Sequence, residues 1–185
     1  MRYATVRMER PAYVLPPQVV TSAELEARLA PLYDRLGLPV GRLELISGVR
    51  ARRFWPEGWR PSMAAAAAGR AALAASRVPA AQIGCLLMCS VSRDCLEPAS
   101  ATMVHHELGL PASCLVSDLS NACLGVLSGM VLAAGMIESG QVGAALLVSG
   151  ENARPLVEST IRELVADATL TRQSVKAHFA SLTIG

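Results

Sequence analysis

From Ala122 to Ile137 the chain carries no charged residue, and no other stretch limits its possible folds as much. Gly125, Gly129 and Ala133 recur every four residues, with Ser128 and Gly135 beside them; Val, Leu, Met and Ala fill most of the rest. That spacing puts the small residues on one helical stripe, so a helix is predicted from Leu124 to Ser139, closed by Gly140. A helix apolar on all sides is expected to be buried on all sides, and its small stripe lets another backbone come close. A membrane span needs about 20 apolar residues; this run is shorter and is broken by glycines and Ser128.

Cys114 to Ser120, just before it, reads as a short buried strand. Cys123 therefore falls where a strand turns into a helix. Unpaired backbone N–H groups and the positive end of the helix dipole gather at such a point. They favour a thiolate, the reactive form of cysteine, and could hold the oxyanion formed when that thiolate attacks a thioester carbonyl. The competing reading makes Cys123 a small, inert core residue, the commoner fate of a free cysteine.

Composition bounds the rest. A chain of 185 residues has one domain as its default and enough length for a real core. Apolar residues make up 52% and charged residues 17%, as in a core-rich soluble protein. A net charge of +2 is too small to argue for nucleic acid. Arg2, Arg7, Glu9 and Arg10 open the chain without a long apolar core, so no secretory signal is read. Five cysteines, an odd count without an export signal, point to reduced thiols in the cytoplasm. No metal site is expected. Cys85 and Cys89 would lie about 13 Å apart along one strand, too far to share an ion, and His105-His106 adjoins no cysteine pair at ligand spacing.

Taken in order, Tyr3 to Val14 is predicted to be a first or edge strand ended by Pro11, Pro16 and Pro17. Thr21-Ser22-Ala23-Glu24 is a capping box, starting a helix that runs to about Leu36 and closes at Gly37. Gly41 to Val49 reads as a turn-rich connection, and Arg50 to Trp55 as extended. Its arginines, Arg50, Arg52 and Arg53, either contact a partner or form a solvated strand face; the solvated face is the simpler reading. Pro61-Ser62 opens an alanine-rich helix to about Ser76. Ile83 to Ser90 is a continuous apolar run, as a buried strand should be. A loop from Val91 to Pro98 leads to a helix from Ala99 to Leu108, with Pro98 suited to the first helical position. Gly143 to Ser149 is another buried strand, Val157 to Ala166 a helix, and Phe179 to Ile184 the start of a further strand. Strands alternating with helices argue for an α/β sheet covered on both faces.

Asn121-Ala122-Cys123-Leu124-Gly125, following Asp118, resembles the nucleophile segment of the thiolase superfamily. More closely it resembles the third-class β-ketoacyl-acyl-carrier-protein synthases, and most of all the OleA-type enzymes that join two fatty acyl chains head to head. The resemblance spans essentially this whole chain but only the N-terminal half of such an enzyme. It implies a thiolase-like α/β fold, N-terminal half, with a mixed sheet and helices on both faces, over residues 1–185. It also implies a homodimer and a C-terminal half supplying a catalytic His and Asn, to which His105, His106 and His178 do not correspond. In that half lies a helix matching the one after Cys123, the expected neighbour of the small stripe.

Ser92-Arg93-Asp94-Cys95-Leu96-Glu97-Pro98-Ala99 narrows the activity. By charge alone, Glu97 favours the N-terminus of the helix behind it. In OleA-type enzymes a glutamate 26 residues before the nucleophile reaches into the partner's active site as a base. Glu97 precedes Cys123 by 26, with Leu96 and Pro98 flanking it as in that pattern. Asp94 and Glu107 read as surface charges. For Arg50, Arg52 and Arg53 the partner that the resemblance implies is a carrier protein or the phosphates of coenzyme A; some relatives grip coenzyme A with an aromatic ahead of this segment, but Pro39 to Val49 contains none.

The implied reaction is a Claisen condensation through a Cys123-linked acyl-enzyme, joining two fatty acyl thioesters into a β-keto product of the kind used for olefinic hydrocarbons. The thioester would be of coenzyme A or an acyl carrier protein, with no further cofactor. An initiating synthase of fatty-acid or polyketide assembly is the alternative within the class. A catalytically incomplete fragment, with only an acyl-accepting or dimerisation role, is the alternative outside it.

Overall fold

The computed structural model describes residues 2–183, which gather into two compact units. Of the described residues, the first comprises those up to Val14 together with Gly58–Asn152, and the second Leu15–Glu57 together with those from Ala153 onward.

The second unit begins with an antiparallel pair, β1 (Gln18–Thr21) and β2 (Ala51–Phe54). Thr21 caps helix α1 (Ser22–Arg28): its hydroxyl accepts from Glu24 N, and the Glu24 carboxylate accepts from Thr21 N, the predicted capping box. The helix breaks at Leu29, and α2 (Ala30–Leu36) follows, closed by Gly37 in the left-handed conformation. One continuous helix was predicted here, but Pro31 has no N–H to give to the preceding turn. The predicted connection from Gly41 to Val49 contains a short helix, α3 (Arg42–Ser47), between left-handed Gly41 and Gly48. Its start is held by Glu26, a buried carboxylate accepting from Gly41 N, Leu43 N and the Tyr33 hydroxyl at 2.6–3.0 Å.

Arg52 is 3% exposed and donates to Ser22 Oγ at 3.2 Å. Alternation along β2 turns Arg52 and Phe54 inward and leaves Arg53 outside, so the arginines do not form one solvated face. Helices α7 (Arg154–Ala166) and α8 (Val175–Phe179) close the unit's core around Leu25, Leu32, Leu43, Val157 and Leu164. The strand predicted from Phe179 is helical through Leu182: Val175, Phe179 and Leu182 are buried at helical spacing. Ile184, its predicted end, lies outside the described residues.

Between β2 and α7 of that second unit, in chain order, comes the main part of the first, Gly58–Asn152. Its sheet has the order β4-β3-β5, all parallel, with β3 (Cys85–Met88), β4 (Leu115–Asp118) and β5 (Ala145–Val148). The central strand is buried on both faces, which explains its unbroken apolar run. Leu86 and Met88 point to one face, where they pack with Ala65 and Ala66 of α4 (Pro61–Ala75) and Ala101 and Val104 of α5 (Ser100–Leu108). Cys85, Leu87 and Cys89 point to the other, against Ala133 of α6 (Gly125–Glu138). A fully buried Leu or Val stabilises by about 1.5–3 kcal/mol, so this two-sided packing fixes where the C-terminal ends of the strands lie. Tyr3 to Val14, predicted as a strand, joins no sheet among the described residues; Ala4 N and Thr5 N instead donate to the Glu138 carboxylate at 2.9 and 3.0 Å.

Helix α6 is not buried all round. Only Gly125, Gly129, Ala133 and Ala134 are buried, while Val126, Leu127, Met130 and Val131 are exposed, Leu127 by 58%. The neighbour of the small stripe is the sheet rather than another helix. A Cβ at Gly129 would meet Cys89 Sγ at 2.6 Å and Leu147 Cδ2 at 2.9 Å.

Candidate active site

The turn carrying Cys123 starts where the β3–β4 ladder ends, with Leu119 N donating to Met88 O at 2.8 Å. Asn121 adopts φ −147°, ψ 49°, and Ala122 has φ 44°, alone among the described non-glycine residues in being positive. A Cβ in that region costs roughly 1–2 kcal/mol, a strain the surroundings must hold in place. Two contacts do so. Asn121 Nδ2 donates to Ser128 Oγ at 2.8 Å, and Gly125 lies so close to β3 that a Cβ there would sit 3.3 Å from the Cys89 carbonyl oxygen. One 3-10 turn, Ala122–Leu124, then leads into α6. Cys123 is exposed on it, and its N–H has no backbone acceptor among the described residues. Cys123 thus lies outside the packed core of the described residues.

Three other thiols contrast with it. Cys85, Cys89 and Cys114 are buried. Desolvation pushes each thiol's pKa up, that of Cys89 to about 11 with a smaller contribution from Cys85. The fifth, Cys95, is exposed; its Sγ lies 3.5 Å from Pro98 O.

Glu97 sits at the outer end of the loop between β3 and α5. It is exposed, and among the described residues its carboxylate has no hydrogen-bond or ion-pair partner, Cys123 included. The Glu97–Pro98 peptide is cis. Pro98 precedes the cap residue, Ala99, rather than taking the first helical position. The first N–H groups of α5 are taken by another carboxylate: Asp118, at the end of β4, accepts from Ser100 N and Ala101 N, both at 2.8 Å.

Asp94, expected at the surface, is instead enclosed, its side chain 5% exposed. It accepts from Ser62 N at 2.9 Å and Ser62 Oγ at 2.5 Å, with Arg60 Nε at 3.8 Å. Glu151 holds the start of the loop, accepting from Val91 N and Ser92 N at 2.7 and 2.9 Å. No local sequence signal marks these carboxylates, whose donors lie 17 to 60 residues away in the chain. Glu107 is exposed, as expected, and pairs with Arg70 at 3.4 Å.

Comparison with known proteins places this geometry. A crystal structure of OleA from Xanthomonas campestris superposes on 94% of this chain and 53% of that chain, with TM-score 0.89 and 38% identity. The fold is thiolase-like. Residues 117–168 of this thiolase-like chain match the family described as 3-oxoacyl-[acyl-carrier-protein (ACP)] synthase III. It is 42% identical over its whole length to the acyl-CoA:acyl-CoA alkyltransferase of Shewanella oneidensis, covering 52% of that protein. The enzyme of the same name from Xanthomonas campestris pv. campestris is 38% identical, with 54% covered. The β-ketoacyl-[acyl-carrier-protein] synthase III of Rhodospirillum rubrum is 33% identical over 63% of this chain and 36% of its own. The chain thus spans about half the length of the alkyltransferases it matches. The OleA structures include variants substituted at a glutamate, a histidine and a cysteine, and forms with cerulenin bound.

Among the described residues, no helix is long and apolar enough to cross a membrane, and no three His, Cys, Asp or Glu side chains group to hold a metal.

Proposed function

We propose that this chain is the N-terminal half of a condensing acyltransferase and carries two of its reacting groups, Cys123 as nucleophile and Glu97 as base. The observation that carries the proposal is the turn itself. An exposed thiol follows a strained Ala122 in the turn before α6, and among the described residues its own N–H has no backbone acceptor, on a chain similar to OleA over nearly all its length.

In the proposed reaction, the Cys123 thiolate attacks the carbonyl carbon of an acyl thioester. The carbonyl electron pair moves to oxygen, for which the Cys123 N–H is an available donor. Collapse expels the donor thiolate and leaves an acyl-enzyme. Glu97 of the partner in a homodimer removes a proton from the α-carbon of a second acyl thioester. The resulting carbanion attacks the acyl-enzyme carbonyl, Cys123 leaves as thiolate, and a β-keto thioester is released. The covalent intermediate divides one difficult acyl transfer into two easier ones.

Acyl-coenzyme A fits the names of the two alkyltransferases; acyl carrier protein fits the third-class synthases. The head-to-head reaction is favoured over the initiating-synthase reading by Glu97, because the glutamate and cysteine substituted in OleA stand as far apart in their chain as Glu97 and Cys123 do here. The incomplete-fragment reading has its own support in the half-length coverage. On that ground the 185-residue chain by itself acylates at most slowly and does not condense, its His and Asn belonging to the other half. The reaction is assigned a cytoplasmic setting from the five unpaired thiols.

Incubation with an acyl-coenzyme A followed by peptide mass mapping tests the nucleophile. Cys123 should carry the acyl group, and Cys123→Ala should abolish acylation without changing the circular dichroism spectrum. Acylation first at Cys95 or at a buried cysteine would refute the assignment.

A further inference from the structure

The loop bearing Glu97 combines an exposed tip with a rigid base. Cys95, Leu96, Glu97 and Pro98 are all exposed, Leu96 by 85%. Yet carboxylates fix the loop at three places, each accepting two hydrogen bonds: Glu151 from Val91 and Ser92, Asp94 from Ser62, and Asp118 from Ser100 and Ala101. Ser100 ties two of these together, since its hydroxyl accepts from Asp94 N at 2.9 Å while its own N–H goes to Asp118. Asp118 differs from the other two in where it comes from. It ends β4, five residues before Cys123, and the α5 turn it holds starts three residues after Glu97. The carboxylate therefore ties the segment presenting Glu97 to the end of the strand that leads to Cys123 in the same chain.

We propose that Asp118 is a positioning residue: by holding the first N–H groups of α5 to the end of β4 it sets where its own sheet presents the Glu97 loop, and so how Glu97 enters the partner's site. The inference rests on the roles proposed above for those two residues. A base must reach the proton it removes to within hydrogen-bond distance. A misplacement of about 1 Å from a remote change can slow a reaction roughly 100-fold. Among the described residues the Glu97 carboxylate has no hydrogen-bond or ion-pair partner to define its position, so precision has to be supplied at the base of the loop. Asp118 supplies it through two charge-assisted bonds, which are shorter and stronger than neutral ones.

The test is a double-mutant cycle in the enzyme assembled with its other half, measuring acyl-enzyme formation by intact mass and β-keto product separately. Asp118→Ala is expected to slow condensation about 100-fold and acylation far less. Asp118→Asn, which keeps an acceptor oxygen, should fall between Asp118→Ala and wild type and guards against loss of folding in the alanine variant. In a Glu97→Ala background, Asp118→Asn should cost condensation no more than about twofold further, because the placement of a missing base no longer matters. Equal losses in both backgrounds, or acylation and condensation falling together, would overturn the positioning role while leaving the Glu97 assignment standing. Unimpaired condensation in Glu97→Ala alone would instead remove the base assignment, and the positioning role with it.

Discussion

Two glycines of α6, Gly129 on the small stripe and Gly135 beside it, should respond oppositely to the same change. Replacing a helical glycine by alanine removes backbone entropy from the unfolded chain and stabilises a helix by about 0.8–1.0 kcal/mol. At Gly135 nothing lies within 4 Å of where the Cβ would go, and the residue is exposed. Gly135→Ala should therefore gain close to the full amount. At Gly129 the new methyl would meet Cys89 Sγ at 2.6 Å and Leu147 Cδ2 at 2.9 Å, both inside normal contact. Leu147 can turn its δ-methyl aside, but Cys89 is buried in β3's packing and its sulfur has little room. Overpacking of this kind costs about 1–3 kcal/mol, which cancels or exceeds the helix gain. The two variants should differ by about 1–3 kcal/mol, with Gly129→Ala the less stable. Thermal unfolding reads this as about 2–4 °C for each kcal/mol in a chain of this size. The displacement also lifts α6 from the sheet beneath Cys123, so Gly129→Ala should slow acylation while Gly135→Ala does not. Equal melting temperatures for the two variants would refute the packing argument.

Three further outcomes are expected. Glu97→Ala should spare acylation of Cys123 and cut condensation to a small residual rate, and mixtures with Cys123→Ala subunits should recover part of the activity in heterodimers; no recovery despite demonstrated subunit exchange would exclude a base acting across the dimer. The exposed Val126, Leu127, Met130 and Val131 of α6 should make the isolated chain self-associate, with Leu127→Lys reducing the scattering mass; a monomeric wild-type chain in light scattering would contradict this. Cys89, its thiol raised from 9.0 to about 11 by burial, contributes stability that is complete below pH 9 and is lost as pH rises toward 11; in Cys89→Ala that part of the alkaline loss should disappear from urea unfolding curves.

The sequence by itself determined most of the local structure, for reasons internal to each segment. The capping box at Thr21, left-handed Gly37, Gly109 and Gly140, and the proline opening α4 mark helix ends with groups only a few residues apart. The apolar run around Cys85–Met88 announces a strand covered on both faces. The segment from Asp118 through Gly125 places Cys123 at a strand-to-helix turn, and its resemblance to thiolase-type enzymes, together with the matching Glu97 spacing, points to the chemistry. What only the tertiary structure decided depends on partners distant in the chain. Asp94 has the composition of a surface loop residue and becomes buried because Ser62 offers it an N–H and a hydroxyl. Asp118 looks like the end of a strand and becomes the cap of α5 because parallel pairing beside β3 brings it there. Gly129 and Gly135 both read as small residues on one helix, yet only Gly129 faces the sheet. Tyr3 to Val14 and Phe179 to Thr183 have strand-like patterns but find no strand beside them among the described residues. A strand's hydrogen bonds are made to another segment, so pattern alone cannot create one, whereas a helix carries its partners within itself.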